Sequence, residues 1–316
     1  MTFIRTVLGD ISQDDVGFCY AHEHIIIDPS YPTEKNPDFE LSSVDLAAQE
    51  LRHFYELGGR TMVDTMPCDC GRNVSKLADV SRMSGVNIVC PTGLHLEKYY
   101  PKGHWGQRLS AEELAELFVA DIEMGVDVND YGGPEIHRTK HRSGVIKVAG
   151  GKDNLSAHEA KIFKAAALAS KRTGCPIITH SEEGTAAMEQ VALLAEGGVD
   201  VSRVTISHTD RKPELEYHRE LLKTGARLEY DSAFRWKTSE NPTTNLIINL
   251  ASEFPNQLML GMDAARSTYW ASYGGKPGLT YLLAEYRAAL LDAGLEEALL
   301  QRLFVANPAH AFSFAE

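Results

Sequence analysis

Six side chains able to bind a metal or move a proton stand on or just after short apolar runs. They are His22 and His24 in Tyr20-Ala-His-Glu-His24, Lys147 in Gly144-Val-Ile-Lys-Val148, His180, His208, and Asp263 in Gly261-Met-Asp263. Side chains two apart on an extended strand share a face, so His22 and His24 converge on one point, most simply a metal ion. Twelve histidines in 316 residues also place some pairs two apart by chance, as surface pairs without function. Taken singly, His180 and His208 read as polar caps on strands and Asp263 as the N-cap of a following turn. Lys147 resists such a reading. Flanked by Val145, Ile146 and Val148, it must bury an ammonium, which is costly unless neutralised or paired. A neutral buried amine can add carbon dioxide to give a carbamate, an anionic oxygen ligand able to bridge two metals; the alternative is an ion pair with Asp263 or Glu229.

These residues need elements to gather them. Apolar or β-branched runs predict strands over Val16–Tyr20, Thr61–Thr65, Val86–Thr92, Gly144–Val148, Pro176–Thr179, Val204–Ser207, Arg227–Tyr230 and Gln257–Gly261. Between them, amphipathic stretches predict helices over Ser43–Leu57, Asn73–Ser84, Ser110–Met124, Ser156–Thr173, Thr185–Ala195, Glu214–Lys223 and Thr243–Glu253, and a last helical region spans Leu279–Phe304. Ser110-x-x-Glu113 and Ser156-x-x-Glu159 are capping boxes, and Gly58, Gly174 and Gly225 close helices. Strict alternation of this kind predicts α/β architecture with a parallel sheet, and eight repeats close it into a (β/α)8 TIM barrel. Neither a G-x-G-x-x-G run nor a P-loop follows the first strand, which argues against nucleotide binding. With no Pro- or Ser-rich linker, residues 1–316 are expected to form one domain, with a short N-terminal segment (1–15) and C-terminal helices (279–316). In such a barrel functional residues collect at the C-terminal ends of the strands, where His22, His24, His180, His208 and Asp263 fall.

Composition sets outer bounds. Lys and Arg number 31 against 44 Asp and Glu, a formal charge of −13 that repels nucleic acid and anionic membranes. The N-terminus lacks the apolar core of a signal peptide and no apolar run approaches 18 residues, so a cytoplasmic protein is expected. Five cysteines, Cys19, Cys68, Cys70, Cys90 and Cys175, are an odd number lying mostly in or beside predicted strands, and are read as reduced core thiols. Cys68-x-Cys70 has no second cysteine pair and is read as a strand-to-loop turn.

In order and in position, His22-x-His24, Lys147, His180, His208 and Asp263 resemble the ligand set of the phosphotriesterase family of the amidohydrolase superfamily, over essentially the whole length. The resemblance implies two divalent metal ions: the buried one on His22, His24 and Asp263, the exposed one on His180 and His208. N6-carboxylated Lys147 and a hydroxide would bridge them. Zinc suits these donors, although manganese, cobalt or iron could substitute. Two ions about 3.5 to 4 Å apart acidify a bridging water and polarise the electrophile, and Asp263 accepts the nucleophile's proton and passes it to the leaving group. That is hydrolysis of an ester-like bond, whether of a lactone, a phosphotriester or an amide.

The loops must choose the substrate. Arg235 and Lys237 follow the seventh strand and Arg266 and Tyr269 the eighth, a region that binds phosphate in many barrels. These four residues are expected to hold a phosphate or carboxylate remote from the scissile bond, the alternative being solvated loop charges and a pairing of Arg266 with an acidic neighbour. The aromatic stretch from Leu94 to Trp105, Tyr99 included, is expected to wall the pocket, the alternative being a helix-packing or lid role. The basic run from Ile136 to Arg142 precedes the fourth strand, and is read as a solvated connection or subunit contact at the opposite end. The expected function is a lactonase opening a small phosphorylated or carboxylated sugar lactone. A phosphotriesterase or other ester or amide hydrolase with the same metal centre is the alternative, and a non-catalytic ligand-binding barrel a remote one. The expected partner is a small molecule, with a homodimer as the assembly.

Overall fold

The computed structural model describes residues 2–315. It opens with a hairpin that the sequence reading left unassigned, β1 (Phe3–Thr6) against β2 (Gly9–Ser12). Phe3 stacks on Phe314 with centroids 4.8 Å apart, tying the two ends of the chain together. The parallel strands follow: β3 (Phe18–Glu23), β4 (Gly59–Asp64), β5 (Asn87–Val89), β6 (Pro91–Thr92), β7 (Val145–Gly150), β8 (Ile177–Ser181), β9 (Val204–Ser207), β10 (Arg227–Tyr230) and β11 (Leu258–Leu260).

Hydrogen bonding orders them β3-β4-β5 and β6-β7-β8-β9-β10-β11. β5 and β6 are one strand interrupted at Cys90, so the parallel strands number eight. The remaining seam lies between β11 and β3, where the Asp263 amide donates to the His22 carbonyl at 3.0 Å. Gly261 makes that seam possible: a Cβ there would lie 2.7 Å from the His22 carbonyl oxygen and 2.8 Å from its amide nitrogen. The result is the TIM barrel the alternation predicts. Cys19, Ala21, Val63, Val89, Val145, Ile178 and Met259 form an apolar cluster with Ile4 of the hairpin and Phe312. The N-terminal segment therefore packs against the strands it precedes.

Each predicted helix forms within a few residues of its expected bounds. Ser110 and Ser156 each accept from the N3 backbone while Glu113 and Glu159 bond back, the two capping boxes, and Gly174 ends its helix left-handed. The last region differs from its single expected span: it breaks at Gly294 (φ 95°), leaving helical stretches over 282–292 and 297–311. Among the described residues no helix is long and apolar enough to cross a membrane. The basic run 136–142 is only partly solvated. Arg138 pairs with buried Asp121 at 3.1 Å, and the His141 ring bonds the Val7 carbonyl at 2.6 Å, so the run packs this connection against the N-terminal hairpin.

Candidate metal centre and active site

β3 reaches farther than its apolar run suggests, so His22 and Glu23 lie within the strand and His24 just beyond it. Its pairing with β4 shifts register between Tyr20 and Glu23. Glu23, facing away from the histidines, brackets the opposite side of the seam: its two carboxyl oxygens accept from the Met262 amide at 2.8 Å and the Ala264 amide at 3.3 Å. Asp263 sits between those amides at φ 47°, a conformation that an L side chain holds only when its surroundings impose it. Its Oδ1 lies 3.1 Å from His24 Nε2 and 3.6 Å from His22 Nε2.

The donor set fits a cation. Ligand atoms of His22, His24 and Asp263 lie within 4.8 Å of one another, and the buried Nδ1 of His24 has no partner among the described residues. Burial holds the His22 imidazole well below its ordinary range, and so neutral. With Nδ1 donating to Ser207 Oγ at 2.9 Å, its Nε2 keeps a lone pair for the centre. Lys147 Nζ is fully buried 3.4 Å from that Nε2, with no carboxylate within 4.0 Å among the described residues. Burial, against the pull of Asp263 and Glu229, lowers this amine to about 8. The expected ion-pair alternative for Lys147 is thus not formed. Gly93 sets the backbone above it, for a Cβ there would meet the Lys147 carbonyl oxygen at 1.9 Å.

His180, inside β8, and His208, just after β9, complete the ring set: His22 and His208 centroids are 4.6 Å apart, His180 and His208 4.4 Å. Burial pushes His180 down to about 4 and His208 well below its ordinary range. His208 is left-handed (φ 68°) and its Nδ1 bonds Asp231 Oδ2, which orients Nε2 away from that carboxylate. Arg211 Nη2 also lies 2.9 Å from that Nδ1. A nitrogen donating to Asp231 cannot also accept, so we read Arg211 as bonded to the carboxylates of Asp231 (3.0 Å) and Asp263 (2.7 Å). His180 Nε2 meets Glu182 at 2.8 Å, and that contact, with Lys98, holds the Glu182 carboxyl down to about 2.

A second cluster, His22, His208, Glu229 and Asp231, also brings ligand atoms together. It is less suited to an ion: burial raises the Glu229 carboxyl well above its usual range, favouring its neutral form, and Asp231 is already bonded by His208, Arg211 and Arg235.

The first group opens into a cavity of about 380 Å³, within the range of small-molecule sites. His22, His24, His180, His208 and Asp263 line it, as do Tyr99, Arg235, Arg266 and Tyr269 from the expected substrate residues. Two of those expectations need revision. Lys237 is exposed and does not line the cavity. Arg235 lines it, but its Nη1 is spent on the Asp231 carbonyl (2.5 Å) and its Nη2 on the Asp263 carbonyl (2.6 Å), so it braces the loops that carry Asp231 and Asp263 and is not free for a remote anion. Arg266 pairs with Asp38, as the alternative reading has it, while remaining at the cavity wall. In the aromatic loop, Tyr99 and His95 face the cavity, whereas His104 and Trp105 bond Asp69. Sequence reasoning passed over Glu23, Ser207, Asp231, Arg211 and Glu182. The available signal was proximity, since each lies within three residues of a predicted ligand or at a strand end.

The sequence matches the model of the phosphotriesterase family over residues 2–312. It is 32% identical to a phospho-furanose lactonase of Mycoplasmopsis synoviae, across 99% of this chain and 92% of that one. Among solved structures, an amidohydrolase from Mycoplasma synoviae superposes with a TM-score of 0.96 at 31% identity, covering 100% of this chain and 93% of the other. A lactonase from Listeria monocytogenes gives 0.91 at 30% identity, covering 99% and 100%.

Proposed function

The chain belongs to the phosphotriesterase family, and from that premise we propose that it is a metal-dependent lactonase opening a small sugar lactone that carries a phosphate or carboxylate. The observation that carries this reading is the convergence of His22, His24 and Asp263 donor atoms at a cavity whose wall holds Arg266 and Tyr269. His22, His24 and Asp263 would hold an inner ion and His180 and His208 an outer one, with Lys147 as its carbamate between them. Neutral imidazoles, and an amine that burial makes far easier to deprotonate than an ordinary lysine, support this, since ligation and carbamate formation both need an unprotonated nitrogen. When bound, two such ions, zinc by donor type, acidify water and polarise a carbonyl oxygen.

The chain's own residues do the rest. Asp263 accepts the proton that water loses on adding to the carbonyl carbon, and returns it to the ring oxygen as the C–O bond breaks. Glu23 and Arg235 fix its position. Arg266 and Tyr269 bind the substrate's anionic group, Arg266 exchanging Asp38 for it, and Tyr99 walls the sugar. The relatives named as lactonases support the substrate class. Five buried free thiols support a reducing, cytoplasmic setting, and we propose the whole as one barrel domain.

The test compares phosphorylated and unphosphorylated lactones of one sugar, with wild type and Arg266→Ala. A preference for the phosphorylated lactone that Arg266→Ala abolishes, mainly through KM, is expected; equal wild-type rates refute the anion subsite. Faster turnover of phosphotriesters than of any lactone would favour the second reading, a phosphotriesterase.

A further inference from the structure

Arg211 lines the cavity but has no task in the reaction just described. It ends the short turn Thr209–Arg211 that follows His208, and its side chain keeps 28% of its exposure at the cavity wall. All its hydrogen bonds to carboxylates come from Nη2, to Asp263 Oδ2 at 2.7 Å and Asp231 Oδ1 at 3.0 Å. Its Nη1 and Nε make no bond to any described residue. Arg235 is the contrast, with both Nη groups spent on Asp231 and Asp263.

The Asp263 carboxylate therefore has two sides. Oδ1 faces His24 and His22, where the nucleophile forms, and Oδ2 faces Arg211. A proton collected on one side and released on the other leaves beside Arg211. In lactone opening, water adds to the carbonyl carbon, and the bond from that carbon to the ring oxygen then breaks with its electron pair passing to the oxygen. An alkyl alkoxide is a poor leaving group, so the charge building on it needs donors before the proton arrives from Asp263. The products are a carboxylate and an alcohol, with one proton released to solvent.

We propose that Arg211 is a catalytic residue whose free Nη1 and Nε hydrogens bind the departing ring oxygen. It acts as a hydrogen-bond donor and never gives up its own proton, as a guanidinium held by two carboxylates must. The inference rests on the reading of the site as an ester hydrolase but not on the phosphate subsite.

A leaving-group series tests it. Alkyl and p-nitrophenyl esters of one acyl group, together with the corresponding lactone, are assayed with metal-loaded wild type, Arg211→Gln and Arg211→Lys. Loss of one charge-directed donor costs about 10²–10³-fold in kcat, so that loss is expected for the lactone and alkyl ester in Arg211→Gln. The nitrophenyl ester, whose leaving group needs no help, should lose tenfold or less, and Arg211→Lys should recover part of the alkyl rate. Calorimetry should show the opened hydroxy acid binding Arg211→Gln several-fold more weakly. Equal losses for alkyl and nitrophenyl esters, with lowered metal content, would mean that Arg211 only holds Asp231 and Asp263, and would overturn the proposal; so would no loss for either. A wild type indifferent to phosphorylation sinks the substrate reading and leaves this one standing.

Discussion

Glu23 offers the sharpest test of how the seam between the first and last barrel strands builds the site. Its carboxyl is fully buried and accepts from the amides on both sides of Asp263, at 2.8 and 3.3 Å. Burial raises it well above the usual carboxylate range, against the pull of the two amides, and Glu23→Gln keeps the size and shape of the side chain. Glutamine can accept only through its one oxygen. It keeps the shorter bond to Met262 and turns an NH2 toward the Ala264 amide, stranding one buried donor at about 1–3 kcal/mol. Glu23→Ala strands both, about 2–6 kcal/mol, and leaves a cavity that adds to this cost. Without its bracket the left-handed Asp263 relaxes, and a displacement of about 1 Å costs on the order of 10²-fold in rate. Urea unfolding should rank wild type above Gln above Ala, while kcat falls about tenfold in Gln and a hundredfold in Ala with KM little changed. An Ala variant that melts early but keeps the wild-type kcat and metal content would refute the reasoning, reducing Glu23 to a core residue.

Three further outcomes follow from the same geometry. His218 lies fully buried between Tyr230 Oη (2.8 Å) and the Lys212 carbonyl (3.0 Å), and burial lowers it from 6.5 to about 4. The unfolded chain takes up this proton below pH 6.5 and the folded one only near 4, so the contribution is complete above 6.5 and on the order of 3 kcal/mol is lost as pH falls through that window. Unfolding of His218→Gln should be flatter with pH across it, and an unchanged slope would count against the assignment. Gly93→Ala would drive a methyl to 1.9 Å from the Lys147 carbonyl oxygen at a backbone φ of 113°. It should therefore destabilise by more than about 3 kcal/mol in thermal melts; a wild-type melting point would contradict the packing. Lys147→Ala should lower the bound metal, measured by elemental analysis, and cut hydrolysis by more than about 100-fold, since even outer partners of a ligand are worth 10- to 100-fold. Unchanged metal content and rate would rule out a bridging lysine.

The barrel was legible because its local and global signals agree: apolar runs alternate with capped amphipathic helices, and Ser110 and Ser156 cap where their spacing indicates. The hairpin Phe3–Ser12 was not legible. Its strands are four residues each, and its stability comes from partners such as Phe314, about 300 positions away. The gathering of the candidate ligands at one end of the barrel was legible for the same reason as the barrel, since a strand end is a local property that a parallel barrel converts into a shared site.

What the sequence indicated by itself was the chemistry: which six candidate side chains gather, because five strands carry them, His22 and His24 sharing the first. Tertiary structure decided how the remaining charges are spent. Arg235 and Lys237 stand two apart and look alike in sequence, yet one braces Asp231 and Asp263 and the other points into solvent. Arg211, unremarked in its loop, comes to rest against Asp263 with donors to spare. A charge takes its role from the partners within hydrogen-bonding reach, and in a barrel those partners come from other strands, 20 to 52 positions away for Arg211.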